Sequence, residues 1–333
     1  MKTIIPATLL LALVFLLPGC ASRKTPEPSV IFYSYAENPV QLENVIALVE
    51  SLHAFGGKFR NATIWLYMPE ELMKADSNLV HKLNSLNVQS KSFSVPDLAA
   101  WYFLSGKVIA AARAEADAEG LTDILVFLNH DTVILQEPGE FSMTAGKKFG
   151  YRPVMHKNVG LLWSEPLDSF WMQIYDVNGI DENTLFPMIT PADMDTIRPY
   201  FNAGLLVVRP EERILRNWEY YFIQLCEDTL LHSMCEKDFS KRLFLHQTAL
   251  TAAVLNHLDP DETLLFSDKI NYPVFFKEMF GAKKEFIDIT EAITIRHESY
   301  FRNPDPEWNK KLIGPPDKVD WIKYNLVIQS KED

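Results

Sequence analysis

The stretch Asp123–Leu135 reads DILVFLNHDTVIL. Five apolar residues, Ile124 to Leu128, follow one another without alternation. That is the pattern of a strand buried on both faces, as in the middle of a parallel sheet. Asn129, His130 and Asp131 come straight after it, and Val133, Ile134 and Leu135 resume the apolar run. A buried strand that ends on polar groups can present them at the carboxyl edge of the sheet, where open α/β sheets bind ligands. The same residues also suit a polar turn between two core strands, with Asp131 capping the turn.

Around this stretch the chain alternates. Val30–Tyr35 and Ala62–Tyr67 read as strands and Val88–Phe93 as a weaker third. Between the first two, Leu42, Val45, Ile46, Val49 and Leu52 recur at helical spacing, with Gly56 and Gly57 as the stop. A short helix is expected around Leu72 to Leu83, and an Ala-rich one from Tyr102 to Glu119. Strand, helix, strand, helix predicts a doubly wound α/β domain, a mostly parallel central sheet flanked by helices. Tyr200 to Val208 reads as a second buried strand, opened by Asn202 and Gly204. Gly204 can admit a ligand or a second backbone, or form a bulge. A helix from Glu211 to Leu225 assigns Trp218, Tyr221 and Phe222 to the core, and another from Leu243 to Leu255 carries His246 and Gln247 near its start. Arg152 to Val154 and Gly160 to Trp163 are expected to form a strand and its continuation. Asp176 to Asp195 is expected to be a loop rimming a cleft, and Ile293 to His297 a late strand. One continuous domain is expected over residues 30–330.

The formal net charge of −12, with no basic stripe, argues against a nucleic-acid partner. It leaves room for a nucleotide held through a metal ion, which reverses the local charge. Residues 1–20 stand apart from the fold. Lys2, the apolar run Leu9 to Leu17, and Pro18-Gly19-Cys20 read as a secretory signal, short and wrongly flanked for a membrane span, with a plain signal peptide or a short membrane anchor as the alternatives to a lipoprotein signal. Leu17-Pro18-Gly19-Cys20 resembles the lipobox of bacterial lipoproteins, whose Cys is lipidated and becomes the first residue. The expectation is an exported lipoprotein, membrane-anchored through Cys20, with residues 21–29 as a polar tether. Ala21 and Ser22 lack the Asp-type signal for the inner membrane, so the outer membrane is open to it. Cys226 and Cys235 remain. Their spacing allows a small disulfide loop, whereas a helix through both would hold them apart.

Five segments in order carry a resemblance: Phe32-Tyr33-Ser34-Tyr35, Asn129-His130-Asp131, Tyr200-Phe201-Asn202-Ala203-Gly204, His246-Gln247-Thr248 and His297. The set resembles the GT-A fold glycosyltransferases, especially the retaining group related to glycogenin and the bacterial lipopolysaccharide galactosyltransferases. The resemblance implies a GT-A-like nucleotide-diphospho-sugar transferase fold, a nucleotide-sugar donor and a carbohydrate acceptor. It implies Tyr33 or Tyr35 beside the base, and Lys107, with Arg113 as substitute, at the diphosphate. In that family the central strand is followed by Asp-x-Asp, which holds a divalent metal. Here the first acid is Asn129 and the last is Asp131. Asn202-Ala203-Gly204 matches a triplet near the two sugars. His246-Gln247-Thr248 stands where the family has an Asp-Gln-Asp-like helix start, and lacks both acids. His297 matches the late His of the metal site.

The implied chemistry is the departure of a nucleotide diphosphate, with Mn²⁺ or Mg²⁺ stabilising its charge. Asp131 and His297 would be the protein ligands, with Asn129 as a neutral oxygen. An imidazole ligand favours Mn²⁺. Asn202 and Gln247 are the catalytic candidates, holding sugar hydroxyls or the reacting face. Nucleotide sugars are made in the cytoplasm, whereas a lipoprotein domain lies outside it. The alternative is therefore a catalytically inactive, exported carbohydrate-binding lipoprotein on the same fold. A carbohydrate hydrolase would need two carboxylates facing one cleft. Glu165, Asp168 and Glu298 supply acids that no spacing pairs.

Overall fold

The computed structural model describes residues 27–75, 77–274 and 287–327. The expected signal segment, Cys20 included, and most of the tether lie outside these residues. In chain order the strands are β1 (Val30–Tyr35), β2 (Thr63–Pro69), β3 (Val88–Phe93), β4 (Ile124–Leu128), β5 (Thr132–Ile134), β6 (Phe149–Pro153), β7 (Met188–Ile189), β8 (Thr196–Ile197), β9 (Phe201–Val208), β10 (Thr263–Leu265), β11 (Tyr272–Pro273), β12 (Ile287–Asp288), β13 (Thr294–Arg296) and β14 (Leu312–Ile313). The helices are α1 (Pro39–Phe55), α2 (Glu70–Ala75), α3 (Ser77–Ser85), α4 (Ser105–Ala118), α5 (Ser169–Asn178), α6 (Ile214–Glu227), α7 (Thr229–Lys237), α8 (Phe239–Leu255), α9 (Trp308–Lys311) and α10 (Pro316–Asn325).

Seven strands form the main sheet, in the order β10-β6-β9-β4-β1-β2-β3. Every pairing in it is parallel except those of β9, which runs against both β4 and β6. The expected mixed α/β architecture is met. β1 and β4 show why Ile124 to Leu128 does not alternate. Phe32, Ile124, Val126 and Leu128 face a core completed by α1 residues such as Leu42 and Val45. Tyr33, Tyr35, Leu125 and Phe127 face the opposite core, built with α4, α6 and α8. With apolar layers on both sides there is no solvent face to be polar.

Helix α1 begins where Asn38 accepts a hydrogen bond from Gln41 N at 3.0 Å, with Pro39 in the first turn. Leu42, Val45, Ile46, Val49 and Leu52 are all buried, as their spacing predicts. The run from Leu72 to Leu83 is two helices, α2 and α3, rather than one. Helix α8 starts at Phe239, capped by Asp238, so His246-Gln247-Thr248 lies two turns inside it and not at its start. Helix α7 was not expected. Asp228 accepts from Leu231 N at 2.8 Å and starts it afresh after α6, which puts Cys226 and Cys235 on separate helices. Both thiols are buried and free. Gly160 to Trp163 forms no strand beyond an isolated bridge from Leu162 to Ile197, and the N–H of Leu162 goes to Glu165 at 2.8 Å. Asp176 to Asp195 is not all loop. It holds the end of α5, capped by Gly179 at φ 62°, and strand β7 paired with β8.

Between α4 and α6 a buried acid does the work of a helix cap. Helix α6 has no capping side chain of its own. Glu115 of α4 instead accepts from Leu215 N at 3.0 Å and Arg216 N at 2.8 Å, with Arg216 Nε at 3.3 Å. Burial pushes its carboxyl up to about 7, against the downward pull of these bonds. Glu115→Ala strands two backbone donors and is expected to cost about 2–3 kcal/mol, read as a lower urea midpoint.

Two short pairings then set the site. The antiparallel ladder of β5 and β13 puts Arg296 opposite Thr132, and His297 N donates to Asp131 O at 3.0 Å. On the other side β4 pairs with β9 through Leu128 and Leu205, and Asn129 N donates to Gly204 O at 3.0 Å. The turn after β4 is thus held between the Asn202-Ala203-Gly204 triplet and the late strand.

Candidate functional site

A cleft of about 690 Å³ opens at the carboxyl ends of β1 and β4. Tyr35 and Asn44 line one side, Lys107 comes from α4, and Asn129, His130 and Asp131 come from the turn. Asn202, Ala203 and Gly204 enter from β9, His246 and Gln247 from α8, and Arg296 and Glu298 from the end of β13. None of the residues from Asp176 to Asp195 lines it. Met188 of that segment belongs instead to the core cluster that holds Tyr151 and Phe201.

Asp131 is the centre of the charge arrangement. Its carboxylate is 1% exposed and faces the guanidinium of Arg296, with Nη2 3.0 Å from Oδ2 and Nε 3.4 Å from Oδ1. Asn129 Nδ2 donates to Oδ1 as well. Burial works to raise this carboxyl. Arg296, followed by His130 and His297, outweighs it and holds the group far below the usual carboxylate range. Arg296 also reaches Glu298 at 3.3 Å. Gly204 is what lets the guanidinium lie here. A Cβ at that position would stand 3.1 Å from Arg296 Nη1 and 2.9 Å from Asn202 Oδ1. The close approach left open by the sequence is to this arginine.

Lys107 supplies the second cation. Its Nζ lies 5.8 Å from the centre of the Tyr35 ring. Burial pulls its ammonium down to about 8, assisted by Arg296 and opposed by Asp131, Glu298 and Glu37. His130 is pulled down to about 4 by burial, so it is neutral at pH 7. Asn44 Nδ2 lies 3.3 Å from its Nδ1, which leaves the proton on Nε2. His297 Nδ1 donates to Glu298 O at 2.9 Å.

The expected residues divide as follows. Lys107, Tyr35, Asn129, Asp131, Asn202, Gly204 and Gln247 all meet at the cleft. Tyr33 does not. It shares a face with Tyr35 but lies two residues further back along β1, within the core and stacked on Phe127 at 5.0 Å. Arg113 does not either. Six residues beyond Lys107 is about 240° round a helix, and it lines a separate groove with Glu37, Glu70 and Glu219. His297 touches Asp131 through the backbone but lies buried behind the cleft wall. Gln247 is committed at both ends, accepting from Ala203 N at 3.1 Å and donating to Tyr200 Oη at 3.3 Å. Asn202 Oδ1 accepts from Gly204 N at 2.7 Å. Of the acids considered for hydrolysis, Glu165 and Asp168 share a different surface hollow and only Glu298 lines the cleft. Asp168 is the cap of α5, accepting from Trp171 N at 2.8 Å.

Sequence reasoning missed Arg296. The signal was present: a fully buried Asp needs a cation, and the late strand expected to reach it ends in Arg296-His297.

The residues as placed do not fit the expected divalent ion. Asn129 Oδ1 and His297 Nε2 are buried acceptors without a hydrogen-bond partner, which a cation could use. Both carboxylates at the cleft are engaged, however: Asp131 by a guanidinium and an amide, and Glu298 by the same guanidinium. What is left is a neutral oxygen and a neutral nitrogen beside two cationic side chains, a poor donor set for Mn²⁺ or Mg²⁺. Among the described residues no three His, Cys, Asp or Glu side chains converge on a point.

Among solved structures, the apo bifunctional glycosyltransferase WbbM is 14% identical to this chain, covering 82% of it and 46% of WbbM at a TM-score of 0.46. This chain thus spans less than half the length of WbbM. The apo mouse xyloside xylosyltransferase 1 is 13% identical, over 81% of this chain and 97% of that one, at 0.46. The galactosyltransferase LgtC in complex with donor and acceptor sugar analogues is 12% identical, over 80% and 86%, at 0.44. No curated protein matches. Residues 35–257, which contain the whole of β1's end, the turn after β4, β9 and α8, match the model of the Rhodobacterales glycosyltransferase domain, and the chain belongs to that family.

Proposed function

We propose that the protein transfers a sugar from a nucleotide-diphosphate donor to a hydroxyl of a glycan or surface-polymer acceptor. The observation that carries this reading is the meeting of Lys107 and Arg296 in one cleft at the carboxyl ends of β1 and β4, in a chain of glycosyltransferase family. In the transfer the bond from the sugar's anomeric carbon to the diphosphate breaks, and its electron pair stays on the phosphate oxygen. The acceptor oxygen forms the new bond, and its proton leaves with the diphosphate or to water. Lys107 and Arg296 lower the energy of the departing charge because they are fixed before it develops. Tyr35, a buried residue of the cleft lining, would border the base.

The test is calorimetric titration with a panel of nucleoside diphosphates, followed by mass-spectrometric assay of nucleotide-sugar consumption with glycan acceptors. Binding and consumption support transfer. An exported carbohydrate-binding protein is the second reading, favoured by the engagement of the Asn202 and Gln247 side-chain oxygens with β9 N–H groups. Glycan binding with no donor consumed would establish it. Anchoring through lipidated Cys20 is part of the proposal, and labelled fatty acid should enter the chain in cells but not the Cys20→Ser variant.

A further inference from the structure

We propose that Arg296, clamped by Asp131, stands in for the divalent cation, and that with Lys107 it receives the donor diphosphate without a metal. This rests on the nucleotide-donor reading above and says how that donor is held.

Three features of the site point the same way. The position that would carry the first metal-binding acid is Asn129, and its amide donates to Asp131 and does not share a cation with it. The guanidinium lies along the carboxylate through Nε and Nη2, a two-point contact that fixes its plane. Gly204 provides the room for it, since any side chain there would press on Nη1. The arginine is therefore built into the wall by three separate segments, the turn after β4, β9 and β13. Its side chain is 16% exposed and lines the cleft. A planar guanidinium matches phosphate oxygens and remains charged at any working pH. Asp131 in this arrangement is a positioning residue: it holds the cation, and both of its oxygens already accept from Arg296. The N-terminus of α1, whose residues Gln41 and Asn44 also line the cleft, adds a favourable dipole for an anion.

The experiment compares the affinity of the whole mature chain for UDP, GDP, CDP and ADP in three conditions: metal-stripped with EDTA, with added Mn²⁺, and in variants. The expected result is that the preferred diphosphate binds equally well with and without metal, within about twofold. Arg296→Gln could unfold the chain by leaving Asp131 unpaired, so the paired variant D131N/R296Q, which keeps two hydrogen-bonding amides and no net charge, is the informative one. It is expected to bind roughly 10–100-fold more weakly, with no rescue by Mn²⁺. Arg296→Lys is expected to recover only part of the loss, because a point charge cannot reproduce the fork. Binding that vanishes in EDTA and returns with Mn²⁺ would overturn the inference and leave the glycosyltransferase reading intact. A D131N/R296Q chain that binds like the wild type would overturn it too. Failure of every diphosphate in every condition would remove both this inference and the donor reading beneath it.

Discussion

Asp131→Ala is expected to lower the unfolding free energy by about 3–5 kcal/mol. The variant leaves the Arg296 guanidinium in a wall where it is 16% exposed, close to Lys107 and without its buried carboxylate, while Glu298, which it also reaches, has a side chain 51% exposed. A buried charge that loses its partner keeps its desolvation cost and loses the compensation. The D131N/R296Q variant removes both charges and should regain most of the loss. Urea midpoints of the three chains decide it, and equal midpoints for wild type and Asp131→Ala would refute the account. The pH dependence has a definite sign. The folded carboxyl is held far below its ordinary value. Its contribution is therefore full above the unfolded carboxylate range and is lost as pH falls below about 4. The D131N/R296Q variant should lack that part of the acid slope.

Lys107→Met is expected to weaken diphosphate binding by roughly 10–100-fold while making the chain more stable. Lys107 is buried, and its ammonium is pulled down to about 8 by burial first and by Arg296 second, against Asp131, Glu298 and Glu37. Near pH 7 the folded protein thus carries a charge it would hold more comfortably when unfolded. Its removal is expected to raise stability by up to about 3 kcal/mol. In the wild type the cost fades as pH rises from 8 toward the ordinary lysine value, because the folded state sheds the proton first. Binding runs the other way. An arriving diphosphate stabilises the ammonium, so affinity falls above pH 8 by up to about tenfold per pH unit, and Lys107→Met should flatten that profile. A variant both weaker in binding and less stable would mark Lys107 as a structural residue.

The elements were legible where one physical signal dominated. Ile124–Leu128 carried the pattern of a strand between two apolar layers, and α1 announced itself by spacing and by its stop at Gly56 and Gly57. The start of α8 was missed because its first turn, Phe239 to Arg242, is mostly exposed, and the signal there was the cap Asp238 and not periodicity. Of the site, the turn after β4 and the triplet on β9 could be read as local strings. Tyr33 and Arg113 failed for reasons of position: Tyr33 lies one pleat short of the strand's carboxyl end, and rotation about the helix turns Arg113 away. Arg296 was invisible to local reading because its partner lies 165 residues away in sequence.

That separation has a consequence for how the chain is made. β1 to β4 and the helices between them can pair as they leave the ribosome, whereas Asp131 lacks its hydrogen-bonded guanidinium until β13 arrives to meet β5. Closing so long a loop costs conformational entropy that only the final contacts repay. A nascent chain cut short before Thr294 therefore has most of a sheet and an unbalanced acid in its wall, and the completeness of the translated product is written into whether the pocket can exist at all.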